Sequence, residues 1–203
     1  MKKVVLSAAV CAMAFSANAE EAVQASAFNS VYAGLGIGGS FLKSSLDRQG
    51  TMKVNRFMGS VVLGGGKVFK NNAYAGCEFL ADFMKNRKKS YGLDNFQMKG
   101  FIPQVDVKLG YAFRNNVLGY GKFGCVWSKA TYNDGRHDHS KNKTSFALGL
   151  GAEKAFCRKF STAVEADYNF GFKWDNNGVF GFNNLRVNKG WTVRALAKCN
   201  VKY

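Results

Sequence analysis

The sequence predicts an all-β fold: an eight-stranded antiparallel up-and-down transmembrane β-barrel. Three observations carry that prediction. Apolar and polar residues alternate with a period of two in segment after segment, which points successive side chains to opposite faces of a strand. The connections between these segments alternate strictly between short and long. The less apolar face combines glycine with Asp, Glu, Lys and Arg, a mixture that makes a poor greasy core and a workable polar lumen.

The first nineteen residues read as an address. Lys2 and Lys3 give a positive start, Val4 to Phe15 is an apolar stretch of twelve, and Ala17-Asn18-Ala19 offers the small-x-small cleavage pattern. The stretch is too short for an ordinary membrane helix. Residues 1–19 are therefore expected to be a cleaved secretory signal peptide, and residues 20–203 the barrel domain. Cleavage would leave 27 basic and 13 acidic residues, a charge of +14. No later segment reaches eighteen apolar residues without a charge, so no membrane helix is expected there.

The strands follow in order. In 31–41, Val31, Ala33, Leu35, Ile37 and Phe41 oppose Tyr32, Gly34, Gly36 and Gly38. Segment 57–69 is strand-like with ambiguous faces. In 73–83, Ala73, Ala75, Cys77, Phe79, Ala81 and Phe83 oppose Tyr74, Gly76, Glu78, Leu80 and Asp82. In 105–113, Val105, Val107, Leu109, Tyr111 and Phe113 oppose Asp106, Lys108, Gly110 and Ala112. Segment 117–131 is again strand-like and ambiguous. In 145–153, Phe146, Leu148, Leu150 and Ala152 oppose Ser145, Ala147, Gly149, Gly151 and Glu153. In 160–170, Phe160, Thr162, Val164, Ala166, Tyr168 and Phe170 oppose Ser161, Ala163, Glu165, Asp167 and Asn169. The last strand sets Trp191, Val193, Ala195, Ala197, Cys199, Val201 and Tyr203 against Thr192, Arg194, Leu196, Lys198, Asn200 and Lys202.

Three connections are short: Lys70-Asn71-Asn72, Arg114-Asn115-Asn116, and roughly 154–159. The other four, about 43–56, 85–100, 132–143 and 172–189, are long. Short periplasmic turns and long external loops are the layout of a bacterial transmembrane barrel, and closure removes unpaired sheet edges. Phe41, Phe57, Trp127, Trp174, Trp191 and Tyr203 near strand ends suit interfacial girdles.

Composition narrows the alternatives. The chain has 203 residues, 47% of them apolar and 14% aromatic, so it can bury enough surface to escape disorder. Five cysteines in this length do not make a disulfide-stapled mini-protein. The charge of +16, with 29 Lys+Arg against 13 Asp+Glu, points to a polyanionic neighbour. Export across a membrane makes nucleic acid a poor candidate for that neighbour.

The stretch Phe146-Ala147-Leu148-Gly149-Leu150-Gly151-Ala152-Glu153, followed by Val164-Glu165-Ala166-Asp167-Tyr168, resembles the opacity-type outer-membrane β-barrel family, an architectural relative of the OmpA transmembrane domain. Residues 29–39, reading NSVYAGLGIGG, resemble that family's glycine-rich opening strand. Val201-Lys202-Tyr203 resembles the carboxy-terminal signal read by the barrel-assembly machinery, with Tyr203 where most members carry Phe. The resemblance implies a Gram-negative outer-membrane location. It also implies relatives of the porin and surface-antigen kind, adhesins among them, and an assembly signal at Val201 and Tyr203.

The polar parity places Glu78, Asp82, Asp106, Glu153, Glu165 and Asp167 in the lumen, opposed by Lys108, Arg194, Lys198 and, on the ambiguous strand, Lys122. Buried charges persist when paired, because desolvating each ion costs several kcal/mol in order of magnitude. The leading expectation is an interlocked salt-bridge network that plugs the barrel. The alternative is a narrow, porin-like ion path gated by those pairs. Glu165 and Asp167 point the same way on one strand, yet no substrate pocket is identified beside them.

No catalytic residue, cofactor or metal is expected. His137 and His139 lie in Asp134-Gly135-Arg136-His137-Asp138-His139-Ser140, a lone HxH in a polar loop, which is a weak metal signal. Some small barrels modify lipid A through a His-x-Ser-Asn pattern. His139-Ser140-Lys141-Asn142 departs from it, so the enzyme reading ranks below the channel. Cys77, Cys199 and Cys125 fall on the apolar parity as small hydrophobes. Cys157 lies in a turn, where the oxidising periplasm leaves a Cys157–Cys199 bridge open as an alternative to free thiols.

The long connections concentrate the charge. They hold sixteen cations: Lys43, Arg48, Lys53, Arg56; Lys85, Arg87, Lys88, Lys89, Lys99; Lys129, Arg136, Lys141, Lys143; and Lys173, Arg186, Lys189. Only Asp47, Asp94, Asp134, Asp138 and Asp175 oppose them, an excess of eleven. Lys85, Arg87, Lys88, Lys89, Arg136, Lys141 and Lys143 are the anion-contact candidates. The expected partners are outer-membrane lipid, lipopolysaccharide phosphates and the assembly machinery, with host-surface polyanions as a further expectation. The expected role is structural and interactive rather than enzymatic.

Overall fold

The computed structural model describes residues 28–46, 50–85, 87–91, 94–98, 100–133, 138–174 and 185–201. Eleven strands form one antiparallel sheet: β1 (Ser30–Leu46), β2 (Gly50–Val68), β3 (Ala73–Met84), β4 (Arg87–Tyr91), β5 (Asp94–Met98), β6 (Phe101–Phe113), β7 (Val117–Asn133), β8 (Asp138–Cys157), β9 (Phe160–Asn169), β10 (Phe172–Trp174) and β11 (Leu185–Val201). Eight of them, β1, β2, β3, β6, β7, β8, β9 and β11, pair in that order, and β11 pairs back to β1 to close the ring. The fold is a closed eight-stranded barrel.

Its geometry can be read from the register. The partners Trp191, Tyr168, Leu148, Phe123, Val107, Cys77, Gly65 and Val31 lead round the barrel and return to β11 at Val201, ten residues beyond the start. A shear of ten on eight strands corresponds to a strand tilt of about 40°. The same ten residues then rise about 25 Å along the axis, the height of the apolar band of an outer-membrane barrel.

The band is bounded by aromatics. At the end away from the tight turns each barrel strand contributes one outward, exposed ring: Phe41, Phe57, Phe83, Phe101, Trp127, Phe146, Phe170 (just past β9) and Trp191. Phe69, Phe113, Phe156 and Phe160 ring the other end. Trp174 lies in β10, and Tyr203 lies outside the described residues, as does the expected signal peptide.

Two tight turns share one device. Asn72 and Asn116 take left-handed backbone angles, φ 62° and 55°, which asparagine tolerates. Asn72 N–H donates to the Phe69 carbonyl at 2.9 Å, and Asn116 N–H to that of Arg114. The third turn is shorter than expected, only Arg158-Lys159, because β8 continues through a bulge to Cys157.

The four long connections differ from their expected loop character. Most of 43–56 belongs to β1 and β2, which stay paired as far as Leu46 and Gly50. Segment 85–100 contains the β4–β5 hairpin, and β5 pairs with β7. Residues 132–133 and 138–143 extend β7 and β8, and 172–189 contains β10 and the start of β11. The strands thus continue beyond the aromatic rim, where the outward positions Lys53 and Asn55 are polar and the apolar-outward alternation stops.

The ambiguous faces also resolve. On β2, Arg56, Met58, Ser60, Val62 and Val68 are buried and Phe57, Val61 and Leu63 exposed. On β7, Leu118, Tyr120, Lys122, Val126 and Ser128 are buried. The outward positions Gly59, Gly65, Gly119 and Gly121 had blurred the pattern.

Candidate functional site

The lumen is layered. Toward the tight turns it is apolar, with Phe28, Val68, Tyr74, Ala112, Leu118, Tyr120 and Ala155 packed together. Tyr32, Val62, Leu80, Ala163 and Leu196 line one side further up. The tyrosines lie against glycine: a β-carbon at Gly64 would strike the Tyr32 ring, at Gly66 the Tyr74 ring and at Gly151 the Tyr120 ring. Glycine on the inner wall therefore makes room for the aromatic rings that fill it.

Above this layer the charges form one continuous network. Lys198 reaches Glu153 at 2.8 Å and Glu78 at 3.4 Å. Lys108 reaches Glu78 at 2.5 Å and Glu165 at 2.9 Å. Lys122 meets Glu165 at 2.6 Å, Asp167 at 3.1 Å and Asp106 at 3.2 Å. Arg194 donates to Asp82 at 2.8 Å and to Asp167 at 2.5 Å. All nine lumen residues expected from the alternation are buried here, together with Lys122.

Neutral groups hold the carboxylates from the other side. Tyr32 donates to Glu78 at 2.8 Å, Tyr120 to Glu165 at 2.6 Å, Ser60 to Asp82 at 2.6 Å and Ser161 to Glu153 at 2.6 Å. The Gln104 amide donates to both Asp106 oxygens, at 2.8 and 2.9 Å. The Lys108 ammonium lies 4.4 Å from the Tyr120 ring centre and that of Lys198 4.5 Å from Tyr32, a favourable cation–π placement. Sequence reasoning missed these tyrosines. Their signal was present, since each sits on the inward parity with glycine on or beside its strand.

One charge moves from the outside to the inside. Arg56, assigned from the sequence to an external connection, is buried, because it shares the inward parity of β2 with Met58 and Ser60. Among the described residues the lumen then holds six carboxylates against five cations.

At the external end a small polar chamber has room for about one water. Ser40, Ser128 and Asn169 line it, and the Ser40 Oγ, Ser128 Oγ and Asn169 Oδ1 atoms have no protein hydrogen-bond partner. Among the described residues no group of three or more His, Cys, Asp or Glu is placed to hold a metal ion. His137 lies outside the described residues, and His139 is on β8 opposite Tyr132.

The structure also corrects the cysteine alternative. Cys77, Cys125, Cys157 and Cys199 are all free. Cys157 and Cys199 both register with Phe160, from opposite sides of β9. They are therefore two strand spacings apart, about 9.5 Å, beyond the roughly 7 Å that a disulfide spans between Cα atoms.

Of the anion-contact candidates, Lys85 and Lys143 are exposed. Arg87, Lys88 and Lys89 are on β4 and Lys141 on β8, whereas Arg136 lies outside the described residues. Lys43 on β1 is exposed and stands directly opposite Lys189 on β11.

The sequence pattern of the outer membrane protein β-barrel domain matches residues 7–196. The chain belongs to that outer-membrane β-barrel family. Its place is the outer membrane of a Gram-negative bacterium. No curated protein sequence matches it.

Similar barrels are known. Ail, the attachment invasion locus protein of Yersinia pestis, is 15% identical with a TM-score of 0.50 over 84% of this chain and 98% of its own, and was also solved with the heparin analogue sucrose octasulfate. Neisserial surface protein A is 12% identical with a TM-score of 0.50, over 86% and 97%. OprG from Pseudomonas aeruginosa is 13% identical with a TM-score of 0.52, over 85% and 95%. Likeness at that identity speaks to the barrel fold of the family.

Proposed function

We propose that this outer-membrane barrel is a plugged, non-enzymatic protein that acts through its external face, binding polyanions. Lipopolysaccharide phosphates in its own membrane are the nearest candidates, and sulfated host glycans the next. The observation that carries the reading is the separation of charge. Inside, six carboxylates and four cations are interlocked in a filled lumen, where Arg56 is buried as well. In the long connections and the strand ends beside them, with Arg56 removed from the count, the sequence carries fifteen cations against five acids.

An excess of ten positive charges on one end raises the local concentration of anions and their association rates. The complex of Ail with a sulfated sugar supports the same chemistry on a barrel of this fold. Among the described residues the lumen brings together no nucleophile, base and substrate-sized pocket, and in this reading the fold is a scaffold for its exposed end. Val201, outward on β11, and Tyr203 are proposed as the signal for the barrel-assembly machinery.

Heparin chromatography of the detergent-folded protein tests the reading. The wild type should be retained at low salt and elute as salt screens the contacts. The triple change Arg87→Gln, Lys88→Gln, Lys89→Gln should elute earlier. A wild type that flows through would overturn the proposed function. Unchanged elution of the triple variant would remove β4 from the contact surface.

A further inference from the structure

The outer wall carries one broad apolar trough. It has a volume of about 930 Å³ and crosses β6, β7, β8, β9 and β11 between Leu109 and Trp191. Its upper end lies in the external aromatic rim, at Phe170 and Trp191. Following the register line from Trp191 through Tyr168 and Leu148 to Phe123 and Val107, each step to the next strand descends about 3 Å. The lower end, at Leu109 and Gly121, is thus near the middle of the apolar band.

Gly121 keeps that lower end open. A β-carbon there would meet nothing nearer than 3.9 Å, so the wall does not require glycine for steric reasons. Most inward glycines differ, since rings, carboxylates or backbone oxygens crowd their missing side chains. At the upper end Tyr168 is flanked edge-on by Phe170 at 5.3 Å and by Trp191 at 5.1 Å, a rigid aromatic wall.

A second feature stands above the trough. Phe41 and Trp191 are cross-strand partners in the rim, and two residues higher on the same outward face Lys43 is paired with Lys189. Like charges directly opposite one another destabilise a sheet unless an anion lies between them. That height, just outside the apolar band, is where membrane lipids carry their phosphates.

We infer that Lys43, Lys189 and the trough together form a site for one outer-leaflet anionic lipid, the lipid A portion of lipopolysaccharide. A phosphate bridges the two ammonium groups, and an acyl chain descends past Trp191 and Tyr168 to Gly121. The inference deepens the polyanion reading above and rests on it.

The test uses a single-tryptophan protein, with Trp127→Phe and Trp174→Phe, folded into phosphatidylcholine nanodiscs whose acyl chains are brominated. Bromine quenches Trp191, and unbrominated lipid A protects it in proportion to its preference for the site. The expected preference over phosphatidylcholine is about fivefold or more. Both the double change Lys43→Gln, Lys189→Gln and the trough-filling Gly121→Phe should bring it to about one. Ala166→Phe, which fills the same trough from β9, serves if Gly121→Phe does not fold. A preference of about one in the parent protein overturns the inference. A preference lost with the lysines yet untouched by either filling change also overturns it, while leaving polyanion binding intact. Failure of the polyanion reading is distinguishable, because it would show as absent heparin retention.

Discussion

Lys108 and Lys122 face each other directly across β6 and β7, and the Glu165 carboxylate lies between their ammonium groups, 2.9 Å from one and 2.6 Å from the other. The neighbouring pair on β3 and β6 has the opposite problem, with Glu78 directly opposite Asp106. Each like-charged pair would be unfavourable alone. They coexist because the lysines lie between acids: Lys108 takes Glu78, Lys122 takes Asp106, and Glu165 arrives from the far wall to serve both. The lumen is therefore held by contacts across its diameter as well as by its ladder.

Glu165→Gln should accordingly be among the most damaging single changes in the protein. Removing one partner of a buried ion pair leaves uncompensated charge and costs about 3–5 kcal/mol. Urea unfolding of the detergent-folded barrel, followed by tryptophan fluorescence, measures this. Adding Lys122→Met to Glu165→Gln should recover part of the loss, giving a coupling of about 1 kcal/mol or more between the two positions. Strictly additive losses would show that the carboxylate does not serve as the shared counter-charge.

Conduction should be absent. Purified protein in a planar bilayer is expected to give no steady, reproducible current, because an ionic layer and a tyrosine-rich apolar layer close the lumen in series. Leu118→Ala should remain silent too, since it thins only the apolar layer. A stable conductance from the wild type would restore the narrow-channel reading.

The inner and outer walls should respond oppositely to a single methyl group. At Gly124 a β-carbon would collide with the Asp106 carboxylate and with the Val105 carbonyl, whereas at Gly59 it would meet nothing within 4 Å. Gly124→Ala should prevent formation of the compact, heat-modifiable band on unboiled gels or shift its melting sharply downward. Gly59→Ala should migrate and melt like the wild type. Equal behaviour of the two variants would contradict the packing of carboxylates against the inner wall.

The physical reasons why some of this was readable from the sequence are specific. Inside the apolar band one face of each strand meets lipid and the other meets charge, so Glu165 and Asp167 on β9, or Arg194 and Lys198 on β11, declare their side by parity alone. Above the rim the outward positions leave the lipid, so an apolar outward face no longer marks the continuation of β1 and β2 to Leu46 and Gly50. Lys53 and Arg56 look alike there, yet only Arg56 turns inward. Pairing is a further step removed. Arg194 and Asp82 are 112 residues apart and meet only because the barrel closes with its particular shear. The tyrosine layer was obscured by its own chemistry, since Tyr32, Tyr74 and Tyr120 occupy a face otherwise read as polar.

The cysteines offer a compact check on both register and membrane position. Cys157 is exposed at the end of β8 beside the shortest turn, whereas Cys77 and Cys199 are exposed on the outward face within the apolar band. In a lipid nanodisc that band is covered by acyl chains, and thiols there are shielded from a charged electrophile that only a thiolate adds to. A membrane-impermeant maleimide should therefore add once to the folded protein, at Cys157, and four times to the denatured chain of residues 20–203. Mild oxidation should leave that count of four unchanged, because Cys157 and Cys199 are held apart by the whole width of β9. Loss of two reactive thiols on oxidation, with a peptide linking residues 157 and 199, would require a register different from the shared pairing on Phe160.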